Sequence, residues 1–147
     1  MLFVQDADSN LVNVGEMMSV SVEGRTVIAH VTSGSTVTLY AGEPADANHY
    51  ANALMETLNR LGLYFVAGGR SYINIEKIIS IRVFDNNDMS TVVGMFHRDG
   101  VYSAWSKGPL VTGVSAVLFR GPLTACIGWR DALFAELQAR EKGLVIK

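Results

Sequence analysis

Between Ile78 and Phe84 the side chains alternate: Ile79, Ile81 and Val83 fall on one side, and Ile78, Ser80, Arg82 and Phe84 on the other. A period of two belongs to a strand with one buried face, because successive side chains leave a strand in opposite directions. Ser33-Gly34-Ser35 and Arg98-Asp99-Gly100 stand where a tight hairpin reverses the chain, since glycine supplies the positive φ such turns need. Elsewhere the period lengthens. Tyr50, Ala53, Leu54, Leu58 and Leu61 recur at helical spacing, as do Trp129, Ala132, Leu133, Leu137 and Arg140, with Gly62 and Gly143 as stops. The pattern predicts an α+β protein in which an antiparallel β-meander leads into one α-helix, twice over.

The two series read as tandem copies. The run from Leu11 to Val22 aligns without gaps on the run from Tyr72 to Val83. After an expansion at Asp85-Asn86-Asn87-Asp88, the match resumes with Thr26-Val27-Ile28-Ala29 on Thr91-Val92-Val93-Gly94, then Tyr40 on Trp105 and Pro44 on Pro109. Residues 1–62 are accordingly expected to form a first ββββα repeat and residues 63–147 a second, packed as one pseudo-symmetric unit. The second copy gains an insertion at 109–122, between Gly108-Pro109-Leu110 and its echo Gly121-Pro122-Leu123. Val114, Val117, Leu118 and Phe119 make this insertion too apolar for a solvated loop. Burial against the other half and pairing with another chain both account for it.

A chain of 147 residues, 49% hydrophobic and only 18% charged, is long enough to bury a core without disulfides. The single Cys126 agrees with that, since one cysteine forms no internal bridge. The longest stretch lacking charged residues, Thr26 to Gly42, is interrupted by Thr32-Ser33-Gly34-Ser35-Thr36, and no membrane-spanning helix is expected. Met1-Leu2-Phe3-Val4-Gln5-Asp6 lacks the basic start and apolar core of a secretory signal, so a cytoplasmic location is expected. Charge alters the picture more. The net −2 conceals two basic against seven acidic residues in 1–62 and ten basic against seven acidic in 63–147, an acidic half beside a basic one. Local rather than total charge decides whether a surface attracts a polyanion, and opposed halves also permit head-to-tail association.

Aromatic residues are interleaved with the cations of the second half. Arg70-Ser71-Tyr72, Phe96-His97-Arg98, Tyr102 and Trp105-Ser106-Lys107 have the composition with which unpaired nucleic acid is held, by base stacking beside a cationic groove. Catalytic patterns are lacking. His30, His49, His97 and Cys126 are scattered, giving no zinc spacing, and Ser115 has Gly113 but not the second glycine of a nucleophile elbow. Ala67-Gly68-Gly69-Arg70-Ser71 lacks the Lys-Ser/Thr ending of a phosphate loop and reads as a hairpin turn. Asp85-Asn86-Asn87-Asp88 lacks the glycine and terminal Glu of a calcium loop and reads as an Asx-rich turn. No cofactor or metal and no enzymatic activity is expected.

The segment Tyr72-Ile73-Asn74-Ile75-Glu76-Lys77-Ile78-Ile79-Ser80-Ile81, with its I-N-x-x-x-I-x-x-I start, resembles small bacterial and phage proteins in which a short β-meander precedes a helix. The duplicated form resembles the phage-encoded single-stranded-DNA-binding transcription cofactors of N4-like viruses. That resemblance implies a non-enzymatic, DNA-bound transcription or replication cofactor in a host cytoplasm, with an RNA polymerase as a protein partner. On this reading Arg70, Arg82, Arg98, Lys107 and Arg120 neutralise phosphates, Tyr72, Tyr102 and Trp105 offer stacking surfaces, DNA is preferred to RNA, and the protein is a homo-oligomer. The alternative is an oligomeric interaction or assembly module without nucleic-acid affinity, which the apolar insertion, sparse charge and opposed halves equally fit.

Overall fold

A computed structural model of the chain describes residues 1–68, 71–96 and 115–146. It is an α+β fold. The first half comprises β1 (Phe3–Gln5), β2 (Leu11–Asn13), a 3₁₀ turn (Val14–Glu16), β3 (Met17–Glu23), β4 (Thr26–Val31), β5 (Thr36–Ala41) and α1 (Pro44–Arg60). The second runs through the same series: β6 (Phe65–Gly68), β7 (Ser71–Asn74), a 3₁₀ turn (Ile75–Lys77), β8 (Ser80–Phe84), β9 (Ser90–Met95), β10 (Ser115–Gly121) and α2 (Leu123–Ala139). Among the described residues each half thus has five strands, a leading hairpin and a three-stranded meander, where the periodicity suggests four.

The correspondence reaches single atoms. Asn13 Oδ1 accepts from Gly15 N at 2.9 Å and Asn74 Oδ1 from Glu76 N at 3.1 Å, so the same side chain caps each 3₁₀ turn. The hairpins share a register, with Phe3 opposite Asn13 and Phe65 opposite Asn74. β5 bulges at Leu39 against β4, and β10 bulges at Leu118 against β9. Beyond the bulge, Tyr40 stacks on Tyr50 of α1 with ring centroids 5.2 Å apart, and Phe119 stacks on Trp129 of α2 at 5.9 Å. Both helices are 17 residues long and close with the same pair of backbone bonds, Leu63 N to Leu58 O and Lys142 N to Leu137 O. The residue at positive φ is Gly62 in the first and Glu141 in the second, so Glu141 rather than Gly143 occupies the stop position.

This pairing moves the insertion. Tyr40 corresponds to Phe119, not Trp105, and Pro44 to Leu123, not Pro109. The apolar run Ser115–Gly121 is therefore the strand that feeds the helix, hydrogen-bonded to β9. The extra residues precede it, between Met95 and Ser115, where the first half needs only Thr32 to Ser35. In the sequence an aromatic and a proline recur at Trp105 and Pro109 in the order in which Tyr40 and Pro44 occur, which mimics the true correspondence. The helical stripes also differ from the expected ones. On α1 the buried positions are Ala47, Ala51, Met55 and Leu58, while Ala53 and Leu61 are exposed. On α2 only Cys126 and Leu133 are buried.

The halves join through one sheet edge. β7 pairs antiparallel with β3, giving a five-stranded order β5-β4-β3-β7-β6, while β10-β9-β8 and β1-β2 form separate sheets. The hairpin β6–β7 is thus shared between two cores. Phe65 and Tyr72 pack with Val20, Met55 and Leu58 of the first half, and Ile73 packs with Val92, Leu118 and Cys126 of the second. Two buried side-chain hydrogen bonds cross the join: Asn74 Nδ2 donates to Met17 O at 2.9 Å, and the Ser21 and Ser71 hydroxyls share a bond at 2.7 Å. Gly68 allows the hairpin to lie against β10, since a Cβ there would stand 3.1 Å from Val117 O and 3.3 Å from the Leu118 Cα.

Removing one hydroxyl of the serine pair orphans the other inside the join. Ser21→Ala and Ser71→Ala are each expected to lower the unfolding free energy by about 1–2 kcal/mol, and the double variant by less than their sum. Urea unfolding of the two single variants and the double completes the cycle, and strict additivity would refute the bond's role.

Candidate functional site

Of the eight residues expected to bind nucleic acid, Arg70, Arg98, Tyr102, Trp105 and Lys107 lie outside the described residues. The other three are not equivalent. Tyr72 lies on β7, half-buried in the join, and its hydroxyl donates to Asn52 Oδ1 of α1 at 3.0 Å. Its ring packs against the first core. Arg82 on β8 and Arg120 on β10 are both exposed, opposite Val93 and Thr91 of the intervening β9. Those partners are two residues apart, which puts both arginines on one sheet face. It is the face turned away from α2, because Ile81, Val83 and Phe119 pack with Cys126 and Trp129 on the other.

The positive balance of the second half is partly spent on internal pairs. Arg130 pairs with Asp131 at 3.1 Å, Arg140 with Glu136 at 2.8 Å, and Lys142 with Glu76 of the second 3₁₀ turn. Arg140 also stands 4.0 Å over the Tyr64 ring. Burial pushes the Tyr64 hydroxyl above its ordinary titration range, with Glu136 adding to the rise and the Arg140 guanidinium opposing it. Tyr50, stacked under Tyr40, is raised by burial alone. Arg82 and Arg120 make no ion pair or hydrogen bond with any described residue.

Among the described residues no group of histidine, cysteine and carboxylate side chains is arranged to hold a metal ion. Cys126 is buried, its thiol directed at Gly121 O at 3.6 Å. No described helix is long and apolar enough to cross a membrane.

A second surface, absent from the sequence reading, lies between β8 and α2. Two hollows meet there, one of about 420 Å³ against Ile78, Ile79 and Lys142 and one of about 250 Å³ against Leu133 and Phe134; Ile81 and Leu137 line both. The smaller hollow is mainly apolar, and Glu76, Arg130, Asp131 and Lys142 are among the residues that line the groove. Ile79 is 54% exposed and Phe134 40% exposed. Among the described residues β8 pairs only with β9, leaving the edge at Ser80 to Arg82 without a strand. An open strand edge beside an apolar helix face is the arrangement that accepts an added strand, main-chain bonds supplying affinity and side-chain pockets selectivity. Phe134 and Leu137 stand where α1 has the buried Met55 and Leu58, and nothing local in the sequence says which of the two stripes is covered. No family model, curated protein or solved structure matches the chain.

Proposed function

We propose that this protein is a non-enzymatic assembly subunit whose working surface is the groove between β8 and α2. The observation that carries the reading is the difference between two equivalent sites. In the first half, the edge of β3 and the Met55–Leu58 face of α1 are covered by a β-hairpin; in the second, no described strand covers the edge of β8, and Phe134 is 40% exposed. Apolar area left in water at a strand edge favours association at about 25 cal/mol for each Å² covered. Light scattering across a concentration series is expected to give a multiple of the single-chain mass. Phe134→Asp, which puts a charge on an exposed groove position, is expected to return it to one chain. A wild-type mass of one chain throughout would refute the reading.

A second reading is favoured by two exposed arginines. Arg82 and Arg120 share one face of a sheet and pair with no other described residue, as phosphate ligands for single-stranded DNA would. In this reading the chain is a single-stranded-DNA-binding cofactor. Anisotropy of a labelled single-stranded oligonucleotide is expected to show affinity falling steeply with salt. The Arg82→Ala/Arg120→Ala variant then reduces the logarithmic salt slope by roughly 0.7 for each phosphate contact removed. A wild-type slope near zero, or one unchanged in the variant, would exclude phosphate binding at these two positions.

A further inference from the structure

We infer that the occupant of the groove is the β1–β2 hairpin of a second copy of this chain, so that subunits join head to tail in the way the two halves join within one chain. The inference rests on the proposed role of the groove and adds the identity, register and polarity of what fills it.

The covered site shows what the open one fits. β6–β7 inserts Phe65 and Tyr72 into the first core while Ile73, on its opposite face, belongs to the second. The hairpin β1–β2 is built alike but only half engaged. Leu2, Val4 and Val12 pack on the first core, the core of its own half, as Ile73 does on the second. Phe3 and Leu11, which stand at the places of Phe65 and Tyr72 in the matched register, are 48% and 68% exposed. One chain therefore carries an apolar hairpin face lacking its core and a core face lacking its hairpin. Ile79 completes the pattern. Its counterpart Met18 is buried in the core that lies beyond the join, whereas Ile79 is 54% exposed and meets no further core among the described residues.

The intrachain register predicts the intermolecular one. β3 and β7 pair Ser19 with Ile73, Val20 with Tyr72 and Ser21 with Ser71. Carried to the second half, Ser80 faces Val12, Ile81 faces Leu11 and Arg82 faces Asn10 of a second copy. Asn74 Nδ2 donates across the join to Met17 O; Asn13 Nδ2, which donates to no described residue, is placed to reach Ile78 O in the same way. Leu11 has no hydroxyl where Tyr72 has one, and the groove asks for none. Asp131, at the position of Asn52, is already paired with Arg130. The charged residues that line the groove are paired among themselves, Arg130 with Asp131 and Lys142 with Glu76, so the match rests on shape and register. A contact that uses different surfaces on its two sides generates a closed ring or an open filament, according to whether the repeated rotation closes.

Mixing variants tests this against other occupants. Leu11→Asp disables the hairpin and leaves the groove intact; Phe134→Asp does the reverse. Each position is exposed in the single chain, and circular dichroism checks that each variant is folded. Each alone is expected to have the mass of one chain, and the two mixed are expected to form a 1:1 pair that grows no further. Independently, chains carrying Ile81→Cys mixed with chains carrying Leu11→Cys under oxidised glutathione are expected to form the mixed disulfide, because directly opposed strand residues have Cα separations that a disulfide spans. If wild type assembles and Phe134→Asp abolishes it, but Leu11→Asp does not and no mixed disulfide forms, the hairpin is overturned as occupant while the groove keeps its role. If wild type has the mass of one chain at every concentration, both fall.

Discussion

Replacing Met55 by Ala is expected to lower the unfolding free energy by about 2–5 kcal/mol, whereas Phe134→Ala, at the corresponding place on the other helix, costs the single chain less than about 1 kcal/mol. The two positions share a place in the repeat and differ in what lies above them. Met55 is 5% exposed, roofed by Phe65 and Tyr72, so its truncation both forfeits transfer energy and leaves a cavity whose walls are held by the β3–β7 pairing. Phe134 has no such roof, and water reaches whatever space its removal opens. Urea unfolding at a concentration where the protein is a single chain measures both values. At higher concentration the Phe134 cost is expected to grow, because a partner that binds only the folded state stabilises it by mass action. Equal losses at the two positions under dilution would mean that the groove is covered within the chain.

The sequence exposed the repeat because hydrophobic alternation and turn residues are local, and both halves keep them at β2, β3 and β4 and at their counterparts β7, β8 and β9. The alternation Ile79, Ile81, Val83 placed β8, and Gly62 marked the end of α1. The leading strands were less legible. β1 is three residues long and β6 four, too short for any period to register. The insertion was assigned to the wrong side of a strand because Ser115–Gly121 is buried along most of its length, so it lacks the alternation that marks a half-exposed strand.

Of the candidate site, the sequence located charge but not its pairing. Arg82 and Arg120 are exposed, while Arg130, Arg140 and Lys142 add to the same positive balance but are tied to carboxylates. Tyr72 stands beside Arg70 and Ser71 in the sequence, while the sheet brings Asn52 and the first core to it from the other half of the chain. The groove was invisible for a related reason: Ile79 and Phe134 are ordinary apolar residues until the covered copy shows that their equivalents Met18 and Met55 are buried.

Asn74→Ala is expected to cost about 2–4 kcal/mol, and Asn13→Ala, its twin, only about 0.5–1 kcal/mol in the single chain. Both asparagines cap a 3₁₀ turn through Oδ1, and both variants lose that cap. Asn74 is in addition 2% exposed, and its Nδ2 satisfies the Met17 carbonyl on the far side of the join. Alanine there leaves a buried acceptor unpaired at the one place where the halves share a sheet edge, and the desolvation of that carbonyl is no longer offset. Aspartate separates the two roles, since it keeps the capping oxygen and replaces the donor. Asn74→Asp is expected to be at least as damaging as alanine, because a carboxylate oxygen then meets the Met17 carbonyl in a buried site. Asn13→Asp is expected to leave the single chain within about 0.5 kcal/mol of wild type, because its Nδ2 has no acceptor among the described residues. In an assembly joined through β8, that same nitrogen gains the role Asn74 has within the chain, and Asn13→Asp is expected to shift association to higher concentration by about tenfold for each 1.4 kcal/mol lost. Unfolding curves of the four variants, set beside their masses by light scattering, check both expectations; an Asn13→Asp protein that assembles as readily as wild type would mean that Asn13 does not repeat the part of Asn74.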